Sequence, residues 1–258
     1  MPRISVIVPL FNYAQFIGEC LKSCLAQTME DFEVIVVNDA STDNSFEEAT
    51  KWMVKDSRIK VHNLAVNVGF AEAKNEAIRC SRGEYIVPID ADDMLTPRSL
   101  EFRLRAFDES LMLDFVHGLV YDGVGINDSY VDCLANVDKL KKNKWTQRQF
   151  TREHKGKIHA QSMMFRREVF EKYGLYYDIV SKADKEMTYR LGVHPLSPLP
   201  PRVRFKKIRK FVAFYRRHDD SMKSELDEKK KDNLKELFNK RIRHLQKEGV
   251  TKGNTPWL

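Results

Sequence analysis

Tyr85-Ile86-Val87-Pro88-Ile89-Asp90-Ala91-Asp92-Asp93 is the stretch on which the reading of this chain turns. The apolar run at 85–89 predicts a buried strand. Asp90, Asp92 and Asp93 would then stand just past its C-terminal end, where open α/β sheets hold their ligands. Carboxylates so close together repel one another, and a divalent cation relieves that repulsion. Hard ions such as Mg²⁺ or Mn²⁺ take oxygen ligands and are commonly shared with substrate phosphates. The cluster also reads as a solvated acidic turn, or as a cap for a helix starting near Pro97. The sequence upstream decides between these readings.

Working outward, runs of the same β type lie at 4–8, 32–37 and 59–62. Helical spacing fills the gaps: Ile17, Cys20, Leu21, Cys24 and Leu25; then Phe46, Ala49, Trp52 and Met53; then Phe70, Ala73, Ala77 and Cys80. Strands alternating with helices imply right-handed crossovers and a mostly parallel sheet. A further helix is expected after Pro97, with Leu100, Leu104 and Phe107 inward. Beyond Ser110 the pattern loosens. A strand is expected at 115–121, a polar irregular stretch at 123–144, and a short strand at 162–165 leading into a helix at 167–173. Leu199-Pro200-Pro201 reads as a linker. A strand at 208–215 follows, and Leu234, Leu237, Phe238, Ile242 and Leu245 make a final amphipathic helix.

A chain of 258 residues buries a full core, and 42% hydrophobic with 31% charged residues is a globular composition. No apolar run approaches the roughly 18–20 residues that span a bilayer. With the first strand starting at Ile4, no signal peptide is expected. Cys20, Cys24, Cys80 and Cys133 form no C-x-x-C pair, so buried free thiols in a reducing cytosol are expected rather than zinc. The net charge of +7 is uneven: residues 202–247 hold 17 Lys+Arg and 7 Asp+Glu, a local +10, which leaves −3 elsewhere. Such a segment is either a solvated helix face or a surface for phosphates, anionic lipid heads or nucleic acid.

G-x-G-x-x-G is missing after the first strand and G-x-x-x-x-G-K-[ST] is missing throughout, so dehydrogenase and P-loop NTPase readings lack their signature. An Asp at a strand's end, such as Asp39, can accept hydrogen bonds from a base or ribose edge, and Phe11 can stack on a base. Asp39, Ser41, Thr42 and Asp43 also suit N-capping of the next helix. Both uses are compatible, with Asp43 or Ser41 capping and Asp39 binding.

Four motifs stand in order: V-P-x-[YF]-N at 8–12, V-N-D-x-S-T-D at 37–43, N-x-G-x-x-x-A-[RK]-N at 67–75 and D-x-D-D at 90–93. Together they resemble family 2 glycosyltransferases of the GT-A fold, most fully over the first 110 residues. The resemblance implies an α/β, Rossmann-like, mixed and mostly parallel sheet flanked by helices in a single compact body. Residues 1–110 would be the nucleotide-sugar-binding half and 111–200 the acceptor-side half; 201–258 would form a C-terminal strand and basic amphipathic helix. It further implies that Pro9, Phe11 and Asn12 line the base pocket, with Phe11 where the family more often has Tyr, so that stacking is kept and a hydroxyl is lost. Asp39 would contact the uracil edge and Lys74 would lie near the nucleotide. Asp90 would touch ribose or metal-bound water, Asp92 would be the main metal ligand, and Asp93 a helper at the donor sugar.

Cleaving a sugar from a nucleoside diphosphate builds negative charge on the leaving phosphate, which a fixed cation stabilises. The acceptor hydroxyl meanwhile needs a carboxylate within reach to take its proton. The segment from Tyr173 through Asp178 to Met187 resembles the family's G-x-x-[DE]…E-D-x-[DE] stretch, which makes Asp184 the base and Glu186 a support or second base. Ala183 stands where the family commonly has Glu, so Asp178 and Glu186 remain alternatives. Asp184 and Glu186 also suit the start of a helix. Tyr215 to Ser221 resembles Y-R-x-H-x-x-S, in which His218 would complete the metal shell or hold the diphosphate. His154 and His159 read as ordinary, and 159–166 resembles a segment near the acceptor site.

The resemblance thus implies an inverting, hexosyltransferase-type enzyme using a nucleotide sugar, a UDP-sugar first, with Mn²⁺ or Mg²⁺. An α-linked donor would give a β-linked product. Processive members carry Q-x-x-R-W and membrane helices, which are absent here, so one sugar is added at a time. The acceptor would be a saccharide or lipid-linked, the location cytoplasmic, and the basic segment after Arg202 a peripheral contact with the cytosolic membrane face; no nucleic-acid partner is expected. Two rivals remain: a sugar nucleotidyltransferase, whose Gly-rich phosphate loop is missing, and a non-catalytic nucleotide-sugar-binding module, suggested by Ala183.

Overall fold

The computed structural model describes residues 1–125, 127–142, 158–177, 183–193, 197, 201–218 and 228–247. Its first half alternates as the sequence predicts: β1 (Ile4–Leu10), α1 (Ala14–Leu25), β2 (Phe32–Asn38), α2 (Ser45–Lys55), β3 (Ile59–Asn63), α3 (Phe70–Cys80) and β4 (Tyr85–Pro88). A two-residue β5 (Met94–Leu95) and α4 (Ser99–Asp108) follow. The second half carries β6 (Phe115–Val124), α5 (Tyr130–Ala135), α6 (Val137–Lys141), a 3₁₀ turn at Ala160–Ser162, β7 (Met163–Arg166) and α7 (Glu168–Tyr173). It ends in α8 (Ala183–Arg190), β8 (Phe205–Arg216) and α9 (Glu228–Lys247).

All eight strands join one sheet in the order β3-β2-β1-β4-β7-β6-β8-β5. β1 runs parallel to β2 and to β4, and β2 parallel to β3. β7 is antiparallel to both β4 and β6, whereas β8 is parallel to β6 and antiparallel to β5. The sheet is therefore mixed and mostly parallel, as expected.

Every residue of β1 and β2 is buried, because helices cover both faces. Alternation along β1 sorts the core. Ile4, Val6, Val8 and Leu10 meet Ile17 and Leu21 of α1 and Leu100, Leu104 and Phe107 of α4. Ile7 faces the other way, into a cluster with Ala73 and Ala77 of α3, Val169 and Phe170 of α7 and Met187 of α8. The helices that carry Lys74 and Asp184, α3 and α8, thus pack side by side on the same face of the sheet.

Some local expectations change. The stretch 123–144, expected to be irregular, contains α5 and α6. Ser129 caps α5 by accepting the Asp132 N–H, while Asp132 accepts the Ser129 N–H, a capping box written in sequence as Ser-x-x-Asp. β8 begins at Phe205, three residues before the expected start, and β5 was not foreseen. In α9, Phe238, Ile242 and Leu245 pack against Tyr189 of α8, but Leu237 is exposed; the Leu234 side chain, Leu199 and Pro200 lie outside the described residues. The four cysteines are free thiols, with Cys80 only half-buried. Among the described residues no helix is long and apolar enough to cross a membrane.

Candidate functional site

Parallel β1, β2 and β4 deliver their C-terminal ends to one rim of the sheet. Because β2 and β4 flank β1, the loops after Asn38 and Ile89 stand two strand spacings apart, about 10 Å. Phe11 projects between them and is 43% exposed. Pro9 is buried within β1 opposite Val37. The rim loops are clasped: Asn12 Oδ1 accepts the Thr42 N–H at 2.8 Å, Ser41 Oγ accepts the Asn12 N–H at 3.0 Å, and Asp43 accepts from Ala14 N and Ser45 N. Asn12 and Ala40 both hold left-handed backbone, at φ of 53° and 54°, strain that this clasp sustains.

Asp39 is 2% exposed. Its carboxylate accepts the N–H groups of Val68 at 2.7 Å and Gly69 at 2.9 Å, and its carbonyl accepts from Asn67 Nδ2. It therefore caps α3, thirty residues on, rather than the neighbouring α2.

Asp90, Asp92 and Asp93 come together after β4, with one oxygen of each within 4.8 Å of the others. The Asp90 and Asp92 side chains are 27% and 13% exposed; Asp93 is fully buried. Burial, then the charges of Asp92 and Asp90, push the Asp93 carboxyl well above the usual carboxylate range. Its Oδ1 accepts the Arg216 N–H at 2.9 Å, and its Oδ2 has no hydrogen-bond partner among the described residues. The Arg216 guanidinium binds the carbonyls of Asp92, Gly125 and Asp128, fastening β8 beneath the acidic loop. His218 Nε2 lies 2.9 Å from Asp92 Oδ2, its ring wedged against Phe16. An octahedral ion with bonds of about 2.1 Å sets neighbouring ligands about 3.0 Å apart. The Asp92–His218 separation and the hard oxygen donors beside it fit such an ion.

Lys74 is fully buried on α3. Its Nζ lies 2.8 and 2.9 Å from the two carboxylate oxygens of Asp184 and 3.5 Å from Asp90. Burial alone would lower its pKa, but the Asp184 and Asp90 charges overcome this and raise it. Asp184, on the first turn of α8, keeps 21% of its side chain exposed. Glu186 is fully buried, 3.1 Å from Arg190 Nε and 3.5 Å from Arg241 Nε of α9. Arg190 also reaches the carbonyls of Tyr173, Gly174 and Leu175, so Glu186 stands in the wall that supports α8. Asp178, His154 and residues 219–222 lie outside the described residues.

The rim thus gathers Phe11, Asn12 and Asp39 on one side and Asp90, Asp92, Asp93 and His218 on the other, with Lys74 joining the acids to Asp184. Sequence reasoning gave no part to Arg216 or Tyr215. Both were visible within Y-R-x-H, but their closeness to the acids depends on β8 returning beside the loop. Burial, with the nearby Asp93 and Asp92 charges, raises the Tyr215 phenol, and the His159 ring lies 5.2 Å from it.

The model of the family described as Glycosyl transferase family 2 matches residues 5–174. EpsJ of Bacillus subtilis (strain 168), described as an uncharacterized glycosyltransferase, is 33% identical over 180 residues, which cover 69% of this chain and 52% of EpsJ. The chain therefore spans about half the length of that relative. Among solved structures, S. aureus TarS in complex with UDP-GlcNAc superposes with a TM-score of 0.65 at 22% identity, covering 92% of this chain and 65% of the other. The mannosyltransferase PcManGT from Pyrobaculum calidifontis, in complex with GDP-Man and Mn²⁺, gives 0.63 at 19% identity, covering 99% and 66%. At these identities the likeness is one of fold, and the mixed sheet flanked by helices is the GT-A arrangement. With the family's sequence pattern running from the first strand through α7 and the GT-A fold extending over nearly all the rest, the chain belongs to glycosyl transferase family 2.

Proposed function

We propose that this chain is a metal-dependent, inverting glycosyltransferase that moves one sugar at a time from a UDP-sugar to an acceptor hydroxyl. The observation that carries the reading is a single buried ammonium, Lys74, set between the acidic cluster at the end of β4 and a separate carboxylate, Asp184, on the facing helix. Acids of two kinds, one group for the donor phosphates and one for the acceptor, thus meet at one ammonium.

On this reading Phe11 stacks on the base, beside Pro9 and Asn12. Asp39 fixes the 67–69 turn and turns its remaining lone pairs to the base edge. Asp92, Asp90 and His218 would hold Mn²⁺ or Mg²⁺, which when bound supplies positive charge against the leaving diphosphate. Asp93, clamped by the Arg216 amide, holds the loop under the donor sugar. Asp184 accepts the proton of the acceptor hydroxyl; the hydroxyl oxygen bonds to the anomeric carbon as the bond to the β-phosphate oxygen breaks, and UDP leaves with that electron pair. One base and no enzyme nucleophile give inversion. Each Asp184 oxygen keeps a lone pair beyond its bond to Lys74. Glu186 supports α8. The acceptor is a saccharide or a lipid-linked one, and exposed Lys240 and Arg243 of α9 form the contact with the cytosolic membrane face.

The test is a panel of sugar nucleotides incubated with the chain, with and without Mn²⁺ or Mg²⁺, scored for the nucleotide released. UDP release that needs the ion is expected. Pyrophosphate release would make the chain a nucleotidyltransferase, and UDP binding with no release at all would make it a non-catalytic module.

A further inference from the structure

We infer that Lys74 and Asn75, neighbours on α3, are positioning residues that latch the segment bearing Asp184 onto the donor half, and that Lys74 is not a nucleotide contact. The inference rests on Asp184 being the base. Lys74 has three N–H donors. Two meet the oxygens of Asp184 at 2.8 and 2.9 Å, and the third side faces Asp90 at 3.5 Å. The Phe70 ring, at 4.2 Å, and the Tyr176 ring, at 5.2 Å, cover what remains. Nothing on this fully buried ammonium is left to offer a phosphate or a base.

Asn75 makes the second half of the latch. It is buried, and its Oδ1 accepts the Tyr176 N–H at 2.8 Å while its Nδ2 donates to the Tyr176 carbonyl at 3.0 Å. A side-chain amide offers one acceptor and one donor side by side, as a neighbouring strand would. The paired peptide belongs to the residue whose ring covers Lys74, so the two contacts brace each other. They join positions 101 and 110 residues apart. α3 itself is fixed to the sheet through Ala73, Ala77 and Ile78. The place of Asp184 is therefore set by α3 and not only by the chain that leads to it. A shift of 1 Å in a reacting group can cost about 100-fold in rate, which makes this latch a determinant of turnover.

The test compares Lys74→Met and Asn75→Ala with the native chain in three readouts: kcat and KM for the donor that the native chain consumes, calorimetry with UDP and Mn²⁺, and hydrogen–deuterium exchange across α8. Lys74→Met should lower kcat about 100-fold while leaving donor KM and UDP affinity as they were. Lys74→Arg should recover part of the loss, and Lys74→Met should add little to Asp184→Asn. Asn75→Ala, which removes no charge and should fold even if Lys74→Met does not, should show the same split in smaller degree. In both variants the amides of α8 should exchange faster. Loss of UDP affinity with kcat retained would overturn the inference by making Lys74 a nucleotide contact, and so would native exchange across α8. If the native chain turns over no donor, the catalytic reading fails by itself, and the exchange of α8 in Asn75→Ala still decides whether the latch exists.

Discussion

Replacing Asp39 by alanine separates two roles that the sequence left side by side. The carboxylate accepts the N–H groups of Val68 and Gly69 at the start of α3. Hydrogen bonds to a charged group are worth about 1.5–3 kcal/mol each. Val68 is exposed and Gly69 half-buried, however, so water can reach both amides once the carboxylate is gone. The loss then falls to the scale of an N-cap truncation, about 0.5–2 kcal/mol. Removing negative charge from the positive end of α3 adds about 0.3–1 kcal/mol. A total near 2 kcal/mol corresponds to a fall of roughly 4–8 °C in Tm for a chain of this length. Asp39→Asn sharpens the test. It has the same shape, but its NH₂ must face one of two backbone N–H groups, so it should melt about as low as Asp39→Ala. Melting followed by circular dichroism, with UDP affinity measured on the same samples, gives the answer. If both variants melt like the native chain, the capping argument is refuted; if they also fail to bind UDP, Asp39 serves the nucleotide alone.

Asp92→Ala should abolish Mn²⁺-dependent UDP binding, and an unchanged affinity in calorimetry with Mn²⁺ would remove the metal assignment. Asp184→Asn should bind UDP normally yet lose about 10²–10⁴-fold in kcat; near-native turnover would move the base elsewhere. Glu33 supplies a pH signature away from the site. Its burial would raise its pKa, but Lys60, the Arg82 N–H and Ser5 together bring it below the ordinary glutamate value. A depressed folded pKa means stabilisation that is present above the unfolded value and lost as pH falls through the folded one. Glu33→Gln should therefore lower Tm at neutral pH, and its gap to the native chain should close as pH falls below the ordinary glutamate range; Tm curves that stay parallel from neutral to acid would contradict this.

The elements from β1 through β4, and α4 after them, were legible because each carries its own signal. A strand covered on both faces reads as an unbroken apolar run, and a helix covering it repeats every three or four residues. The acidic cluster was legible because three charges ending such a run have no packing use. What escaped was decided over long distances. β8 lies beyond β6, and from Lys206 to Lys210 it shows solvent four charged residues around the buried Ile208, so only its apolar end looked like a strand. Asp39 sits next to α2 in sequence but caps α3, because β2 ends beside the 67–69 turn and not above α2. Arg103, between Leu100 and Leu104, looks like a solvent-facing residue of α4. It is instead fully buried, its guanidinium spent on the carbonyls of Ser99, Gln161 and Met163, and burial alone brings its pKa down to about 9.

The same distinction bears on where the site ends. The family pattern stops at residue 174, and the acidic cluster lies well within it, yet the groups that make the cluster tenable lie beyond. Asp93 Oδ1 accepts the Arg216 N–H, and the Asp90–Asp93 loop is held by the Arg216 guanidinium through the Asp92 carbonyl. Lys74 has its closest counter-charge in Asp184. A buried ion stripped of its partner costs several kcal/mol, so without α8 and β8 the first half would hold a buried ammonium facing Asp90 alone and a buried acid without its clamp. The acidic rim is not a module to which a second half has been added. Its charges balance only when both halves are folded, and the residue that would move the acceptor's proton is itself one of the balancing charges. Neutralising the buried ammonium of α3 and fixing the place of Asp184 on α8 are, in this chain, consequences of the same ion pair.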